Sequence, residues 1–394
     1  MNKNFYNFLQ QSLDEIKSKN LYREFKPASS KSGSYTIYKG KQVLQMSSNN
    51  YLGLAGDARL EEAAIEAIKK YGIGSTGSRL ISGTHELHLE LERKIAEFKE
   101  TESCLVFSTG YAANLGVISA LLSEKDAVYS DRLNHASIID GIKLSRANKF
   151  IYKHCDTNDL EKLLSENHYK YRFNVIITDS IFSMNGDRAP LAEIVKLKEK
   201  YNAVLFVDEA HAFGVYGSNG QGLGHELGIN DKIDIQMGTL SKAAGVSGGY
   251  IAGKSELIEY LIHKARSFIY STAPDIPSIA ASIKAVELIK EDKDLRNKLY
   301  NNINYLRASL QELENRGLIE LIPSDSAIFC IKVGTTEKTL EFSKKLLEEH
   351  NILATAIRPP TVETSRIRLC VNALHTESDL DYLLITMCVS TDNL

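Results

Sequence analysis

Residues 174–211 read NVIITDSIFSMNGDRAPLAEIVKLKEKYNAVLFVDEAH, and this stretch decides the fold. NVIITDS and AVLFVDEA are short apolar runs rich in β-branched residues, and each runs into an acid, Asp179 or Asp208. The helix-like segment AEIVKLKEKY lies between them. A strand, a helix and a second strand in so short a span predict two parallel strands joined by a crossover helix, since parallel neighbours need more than a tight turn. Working outward, the alternation repeats. SCLVFSTG (103–110), KDAVYSD (125–131) and KFIYKH (149–154) precede the stretch; IDIQMG (233–238) and GGYIAG (248–253) follow it. Most are separated by helical segments such as AANLGVISALL and ASIIDGIKLSR. The expected class is α/β, a mostly parallel sheet wrapped by helices.

The flanks read differently. Phe5, Phe8, Leu9, Leu13 and Ile16 recur at helical spacing, so residues 4–19 are expected to form an amphipathic helix packed onto the body. PASSKSGS (27–34) is a loop, and two short strands follow at Tyr35–Tyr38 and Gln42–Met46. Beyond helices near 255–266 and 276–315, the strands IELIP, AIFCIKV and RIRLCVN and the helices TLEFSKKLLEEH and ESDLDYLLITM form a smaller α+β domain. The expected division is an N-terminal arm, 1–50, a large domain, 51–285, and a small C-terminal domain, 286–394.

Composition removes several classes. The 394 residues are 43% hydrophobic and 25% charged, which excludes disordered, collagen-like and disulfide-scaffold chains. Lys+Arg 47 against Asp+Glu 50 leaves no basic excess, so nucleic acid is not an expected partner. Five scattered cysteines with no C-x-x-C pair read as reduced thiols in a cytoplasmic protein. No apolar run reaches the roughly 20 residues of a membrane span, and the polar N-terminus is not a signal peptide.

Three motifs resemble sites and are set aside. Gly72-Ile73-Gly74-Ser75-Thr76-Gly77 fits a dinucleotide fingerprint, yet a helix precedes it where a strand is required. Residues 248–255 fit a phosphate-loop string, and Asp208-Glu209-Ala210-His211 spells an ATPase box, so a P-loop ATPase is the rival class. The order is reversed, however, and Tyr250-Ile251-Ala252 reads as strand. His85 and His88 lack convergent ligands and suit a surface or helix-capping role better than a metal site.

The chemistry gathers at strand ends. Asp179-Ser180 through Gly186, Asp208 through His211, and Gly238-Thr239-Leu240-Ser241-Lys242 all follow apolar strands. In an open α/β sheet such ends face one crevice. A lysine for a Schiff base and a carboxylate for a ring nitrogen are what pyridoxal 5'-phosphate chemistry needs. Ser108-Thr109-Gly110-Tyr111 opens a helix whose N–H groups suit a phosphate.

At this point the chain resembles the α-oxoamine synthase family, pyridoxal-phosphate enzymes of the aspartate-aminotransferase-like fold (type I). SNNYLGL (48–54), GSTGSRLISGTHELHLELE (74–92), STGYAAN (108–114), SDRLNHASIIDG (130–141), FSMNGDRAPL (182–191), VDEAHAFGVYGSNGQG (207–222) and GTLSKAAGVSGGYIAG (238–253) carry the resemblance across nearly the whole chain. It implies roles residue by residue. Lys242 is the Schiff-base lysine and the base for the Cα proton; Asp208 meets the ring nitrogen; His211 bonds the phenolic oxygen; His135 stacks on the ring. Gly110, Tyr111, Thr239 and Ser241 hold the phosphate, and Ser183 lies near the cofactor's oxygen. Ser271 and Thr272 reach the phosphate of a neighbouring subunit, implying a homodimer with a shared site. Arg368 clamps the amino-acid carboxylate, with Arg366 expected to point the other way. Asn49 and Thr361 contact substrate, and Arg23 faces a distal acyl carboxylate.

Within the family, Arg358-Pro359-Pro360-Thr361-Val362 resembles the branch that condenses L-alanine with a pimeloyl thioester, carried on CoA or an acyl carrier protein. The sister reaction, glycine with acetyl-CoA, shares the core residues. Glu363-Thr364-Ser365 departs from the usual continuation of that segment, and Cys155 has no assigned role beyond a core cysteine.

Overall fold

The computed structural model describes residues 2–391. The chain opens with α1 (Lys3–Ser18), β1 (Tyr35–Tyr38), β2 (Lys41–Gln45), α2 (Ala58–Tyr71) and α3 (Glu86–Lys99). Next come β3 (Ser103–Phe107), α4 (Gly110–Leu121), β4 (Ala127–Asp131), α5 (Ala136–Ser145), β5 (Asn148–Tyr152) and α6 (Thr157–Asn167). The middle holds β6 (Asn174–Asp179), α7 (Leu191–Lys200), β7 (Val204–Asp208), α8 (Leu223–Glu226), β8 (Ile235–Thr239) and β9 (Gly249–Gly253). Helices α9 (Ser255–Lys264), α10 (Arg266–Ile269), α11 (Ile276–Glu291) and α12 (Lys293–Asn315) follow. The chain finishes with β10 (Glu320–Ile322), β11 (Ile328–Lys332), α13 (Thr336–Glu348), β12 (Ile352–Leu353), β13 (Thr355–Ile357), β14 (Arg366–Cys370) and α14 (Glu377–Thr391).

Two compact units result. The larger is Asn49–Asn301 with Asn372–Leu374; the smaller holds the residues up to Ser48, Asn302–Val371 and the chain from His375. The arm through Ser48 thus groups with the C-terminal segments, and the later boundary falls inside α12, beyond the expected 285/286.

The larger unit is built on a seven-stranded sheet in the order β3-β9-β8-β7-β6-β4-β5. β9 runs antiparallel to both neighbours and the rest are parallel. Strands β4 and β6 are buried at every residue, which is why they read as continuous apolar runs and not as alternating ones. Val117 and Ile118 of α4 and Ile138 and Ile142 of α5 close over Leu105, Val128 and Ile177, all nearly inaccessible. Each such side chain contributes about 1.5–3 kcal/mol. The phosphate-loop string is strand, as its residues imply: Tyr250–Ala252 lie in β9 between β3 and β8. His85 caps α3 and His88 accepts from the His85 N–H, a reciprocal capping box.

The smaller unit holds a four-stranded antiparallel sheet, β10-β11-β14-β13, and a three-stranded one, β1-β2-β12. Two expectations fail here. α1 forms where the periodicity puts it but buries none of its residues, and Phe8 is 61% exposed. Its apolar stripe is a real helix signal, but spacing carries no information about what covers the stripe. Arg366 does not point away from Arg368: both lie on β14, two residues apart, and strand periodicity sends i and i+2 to the same face. Both are buried, at 7% and 5% exposure.

Candidate active site

The carboxyl ends of four parallel strands deliver the polar groups. Asp179 ends β6 and stands opposite Asp208, the last residue of β7. Thr239 ends β8 and leads into Ser241 and Lys242, while the turn after β4 carries His135 to the start of α5. These ends line a cavity of about 230 Å³ together with the first residues of α4. The cavity gathers Lys242, Asp208, His211, His135, Ser183, Thr239 and Ser241, and Gly110 and Tyr111 join them. A larger cavity, about 700 Å³, is lined chiefly by apolar side chains such as Ile118, Val175 and Phe206 and holds none of this set.

Hydrogen bonds lock the cavity floor. The Asp208 carboxylate accepts from the Ala210 N–H at 2.9 Å and from Asn114 Nδ2 at 2.8 Å. The same Asn114 amide donates to Ser137 Oγ at 2.9 Å, and Ser137 Oγ lies 2.7 Å from His135 Nδ1. The Ser137 N–H also points at Nδ1, so that nitrogen accepts and the His135 proton sits on Nε2. Burial holds the His135 imidazole below its usual range; the charge of Asp208 opposes this and that of Lys242 reinforces it. His135 is therefore neutral at pH 7. Its backbone N–H donates to Asp179 at 2.8 Å. Burial, and then the negative charge of Asp208, push the Asp179 carboxyl well above the usual carboxylate range. His211 Nδ1 lies 2.6 Å from the hydroxyl of Tyr51, whose oxygen is 3.3 Å from Asn49 Oδ1.

The opposite wall suits an anion. Thr109 caps α4, leaving the first-turn N–H groups of Gly110 and Tyr111 without partners inside the helix. Thr239 Oγ1 and Ser241 Oγ are 2.8 Å apart beside them. A Cβ at Gly110 would sit 2.9 Å from Met237 Cε, and one at Gly249 would meet the Gly110 backbone at 2.6 Å. Glycine at both positions lets β9 approach the helix end and keeps that end bare. An amine, a buried carboxylate, a neutral imidazole and a bare helix terminus are the donor set that pyridoxal phosphate requires, so the residues fit the group.

Other expected residues lie elsewhere. Ser271 and Thr272 follow α10, where Thr272 bridges to Ser78, and neither lines the cavity. In the smaller unit, Arg368 donates to Cys370 Sγ, and Arg23 and Thr361 are exposed. The Arg358 guanidinium donates to the backbone oxygens of Asn20 and Tyr22 at 2.8 and 2.7 Å, tying the arm to the segment that holds Thr361. Burial, and then the charge of Arg23, hold Arg358 below its usual range, so two guanidinium groups share this corner. Tyr51, Asn114 and Ser137 were not singled out as site residues, and Asp179 was placed at the crevice without a role. Asn114 had a usable signal, standing one helical turn after Gly110 and hence on the same face.

The profile of the class I and II aminotransferases matches residues 41–386, and the chain belongs to that family. Within it the chain is a member of the α-oxoamine synthases and has the aminotransferase-like fold. It is 48% identical to the 8-amino-7-oxononanoate synthase of Thermoanaerobacter pseudethanolicus over 96% of this chain and 95% of that one. It is 43% identical to the synthase of Thermosipho melanesiensis, with 96% of each chain covered. Among solved structures it resembles the serine palmitoyltransferase of S. paucimobilis, with a TM-score of 0.91 at 27% identity over 99% of this chain and 98% of that one. It also resembles the 8-amino-7-oxononanoate synthase of Francisella tularensis, with a TM-score of 0.76 at 28% identity over 89% and 98%. Among the described residues no helix is long and apolar enough to cross a membrane.

Proposed function

We propose that this chain binds pyridoxal 5'-phosphate and catalyses the decarboxylative condensation of L-alanine with a pimeloyl thioester to 8-amino-7-oxononanoate, a step of biotin biosynthesis. The observation that carries the reading is the convergence of Lys242, Asp208, His211 and His135 on one cavity with a bare helix end. The choice of substrates is supported by the near full-length likeness to synthases of that name.

When bound, the cofactor supplies a conjugated pyridinium that accepts electron density from the substrate Cα. We assign the protein's part as follows. Asp208, fixed by Asn114 and the Ala210 N–H, keeps the ring nitrogen protonated. His211, braced by Tyr51, bonds the phenolic oxygen. Neutral His135 would hold the ring and Ser183 would assist at its oxygen, both from the cavity lining. Gly110, Tyr111, Thr239 and Ser241 hold the phosphate, assisted by Ser271 and Thr272 of a second subunit in a homodimer. Lys242 would hold the cofactor through its amine and would serve as the base that removes and later returns the Cα proton of L-alanine. The Cα–acyl carbon bond forms as the thiol leaves, and the substrate carboxylate departs as CO2. Arg368 and Asn49 hold that carboxylate beforehand; the planar guanidinium matches it bidentately. Thr361 contacts the acyl chain, and Arg23, beside Arg358, reads its far carboxylate.

The test is thiol release by the cofactor-loaded enzyme with L-alanine and pimeloyl-CoA, beside glycine and acetyl-CoA. Faster release with the first pair is expected. Faster release with the second would move the chain to the 2-amino-3-ketobutyrate reaction. A pimeloyl carrier-protein thioester as a third arm distinguishes the two acyl donors.

A further inference from the structure

Two loops bring single side chains to the cavity from the same side. The turn after β4, residues 131–135, delivers His135, and the loop after β6, residues 182–188, delivers Ser183. Behind both lies His154, just past the end of β5. Its Nδ1 is 2.9 Å from Asp131 Oδ1, at the root of the first loop, and its Nε2 is 2.5 Å from Asp187 Oδ2, in the second. The Phe182 ring, next to Ser183, meets the imidazole edge-on with centroids 4.4 Å apart. The Asp131 side chain is 1% exposed, and its oxygens also accept the N–H groups of Leu133 and Cys155, both at 2.8 Å. Asp131 therefore fixes the backbone of the turn that ends in His135.

The contacts dictate the protonation state. Ionised carboxylates only accept, so a ring with a carboxylate on each nitrogen must donate from both, which makes it an imidazolium. The groups facing it are Asp131, Asp187, the Cys155 thiol and the Phe182 ring. Arg188, the nearest cation along the second loop, is turned to Glu226 and to the Tyr216 ring. The two carboxylates outweigh burial and lift His154 to about 12. Asp131, His154 and Cys155 are also close enough to suggest a metal site. However, N···O spacings of 2.5 and 2.9 Å accommodate a proton, whereas a zinc ion with bonds of about 2.0 Å to each ligand would hold them farther apart.

We propose that His154 is a permanently charged positioning residue that clasps the two loops together and so sets His135 and Ser183 against the cofactor. This rests on the proposed function only in taking the cavity as the cofactor pocket. Histidine-selective 15N NMR of the full-length holoenzyme is expected to show one imidazolium, absent from His154→Gln, that persists at pH 9. In His154→Gln, kcat is expected to fall about tenfold, as for loss of a charge-assisted hydrogen bond. Cofactor Kd should rise severalfold and the pH midpoint of the bound-cofactor absorbance should move, while KM for L-alanine changes less than twofold. Asp187→Asn should reproduce these changes, and the double variant should be no worse than either single one. A neutral His154 at pH 7 would overturn the proposal. Unchanged kcat, cofactor Kd and absorbance midpoint in both single variants would do so as well. If His154→Gln does not fold, the near-isosteric Asp187→Asn, whose side chain is 27% exposed, and the wild-type NMR titration decide it. Cofactor Kd and the NMR signal are independent of which amino acid and thioester react, so a failure of the substrate assignment leaves them interpretable.

Discussion

The cavity residues and the residues assigned to read the acyl chain are built in opposite ways. Asp208 is 3% exposed, His211 7% and Thr239 2%, and each stands at or just past the end of a buried strand. Arg23 and Thr361 are exposed and lie outside regular structure, on segments tied together by the Arg358 hydrogen bonds. The first set can hold a reacting group within a few tenths of an ångström because packing leaves its side chains no alternative rotamers. The second set can change its sequence at little cost to stability, as loops on a rigid scaffold generally can. On the proposed reading the difference separates two kinds of information: the cavity would set the kind of chemistry, and the exposed segments would set the acyl group.

The largest expected effect is at the centre of the first region. Lys242→Ala should reduce turnover by roughly 10³-fold or more, since both covalent attachment and proton movement are lost. The protein should also lose the visible absorbance of the attached cofactor while keeping its melting temperature. A variant with ordinary turnover would end the assignment. Asn114→Ala comes next. It removes one of the two donors on Asp208 and leaves a buried acceptor short, an effect of about 1–3 kcal/mol. An approximately tenfold or greater fall in kcat is expected, with the ratio of rates for pimeloyl and acetyl thioesters unchanged. A shift in that ratio would show that the cavity also selects the acyl group, and the contrast would break.

The second region is tested through Arg23. Arg23→Ala should raise KM for pimeloyl-CoA about tenfold, in the range of a charge-assisted contact. It should leave kcat and cofactor Kd within twofold. A monocarboxylic acyl-CoA of similar length should be indifferent to the change. Equal losses on both thioesters would place Arg23 outside the reading of the far carboxylate and leave Arg358 as the cation to test.

How much of this was legible in the sequence follows the same division. The buried strands announced themselves as apolar runs ending in acids, and the glycine and lysine motifs named most of the cavity. Asp179 was legible as a strand-end acid at the crevice, though without a role; Tyr51, Asn114 and Ser137 escaped because hydrogen-bond partners are chosen by tertiary structure: nothing local says that an amide on α4 reaches the end of β7. β12 and β13 are two and three residues long, too short for any periodicity to register. Arg366 was misread for a simpler reason: in a strand, the residue that faces away from Arg368 is Ile367. The openness of α1 lies beyond a sequence pattern altogether, since amphipathicity gives a helix an apolar face without saying what meets it.

The smallest effect concerns the interior of the smaller unit. His375 is 4% exposed, its Nε2 is 3.2 Å from the Gln45 carbonyl, and Asp379 lies nearby, accepting from Tyr35 and the Thr376 N–H. Burial, only partly opposed by Asp379, lowers its pKa from 6.5 to about 4. The unfolded chain therefore binds a proton here between those two values and the folded chain does not. Stability from this site is complete above pH 6.5 and is lost as pH falls toward 4, with about 1.3 kcal/mol gone between pH 7.5 and 5.5. Burial raises Asp379, but its hydrogen bonds from Tyr35 and Thr376 outweigh that and hold it low, so its own contribution is lost as pH falls through the ordinary carboxylate range and below, outside the interval from pH 7.5 to 5.5. The check is the fall in Tm between pH 7.5 and 5.5 for the wild type and for His375→Gln. A drop smaller in the variant by about 1–2 °C is expected. His88 and His135, also held down by burial, remain in both proteins and cancel in the difference. Equal drops would mean that the ring is hydrated in the folded protein, and that the interior of this unit is as open to water as the segments that carry Arg23 and Thr361.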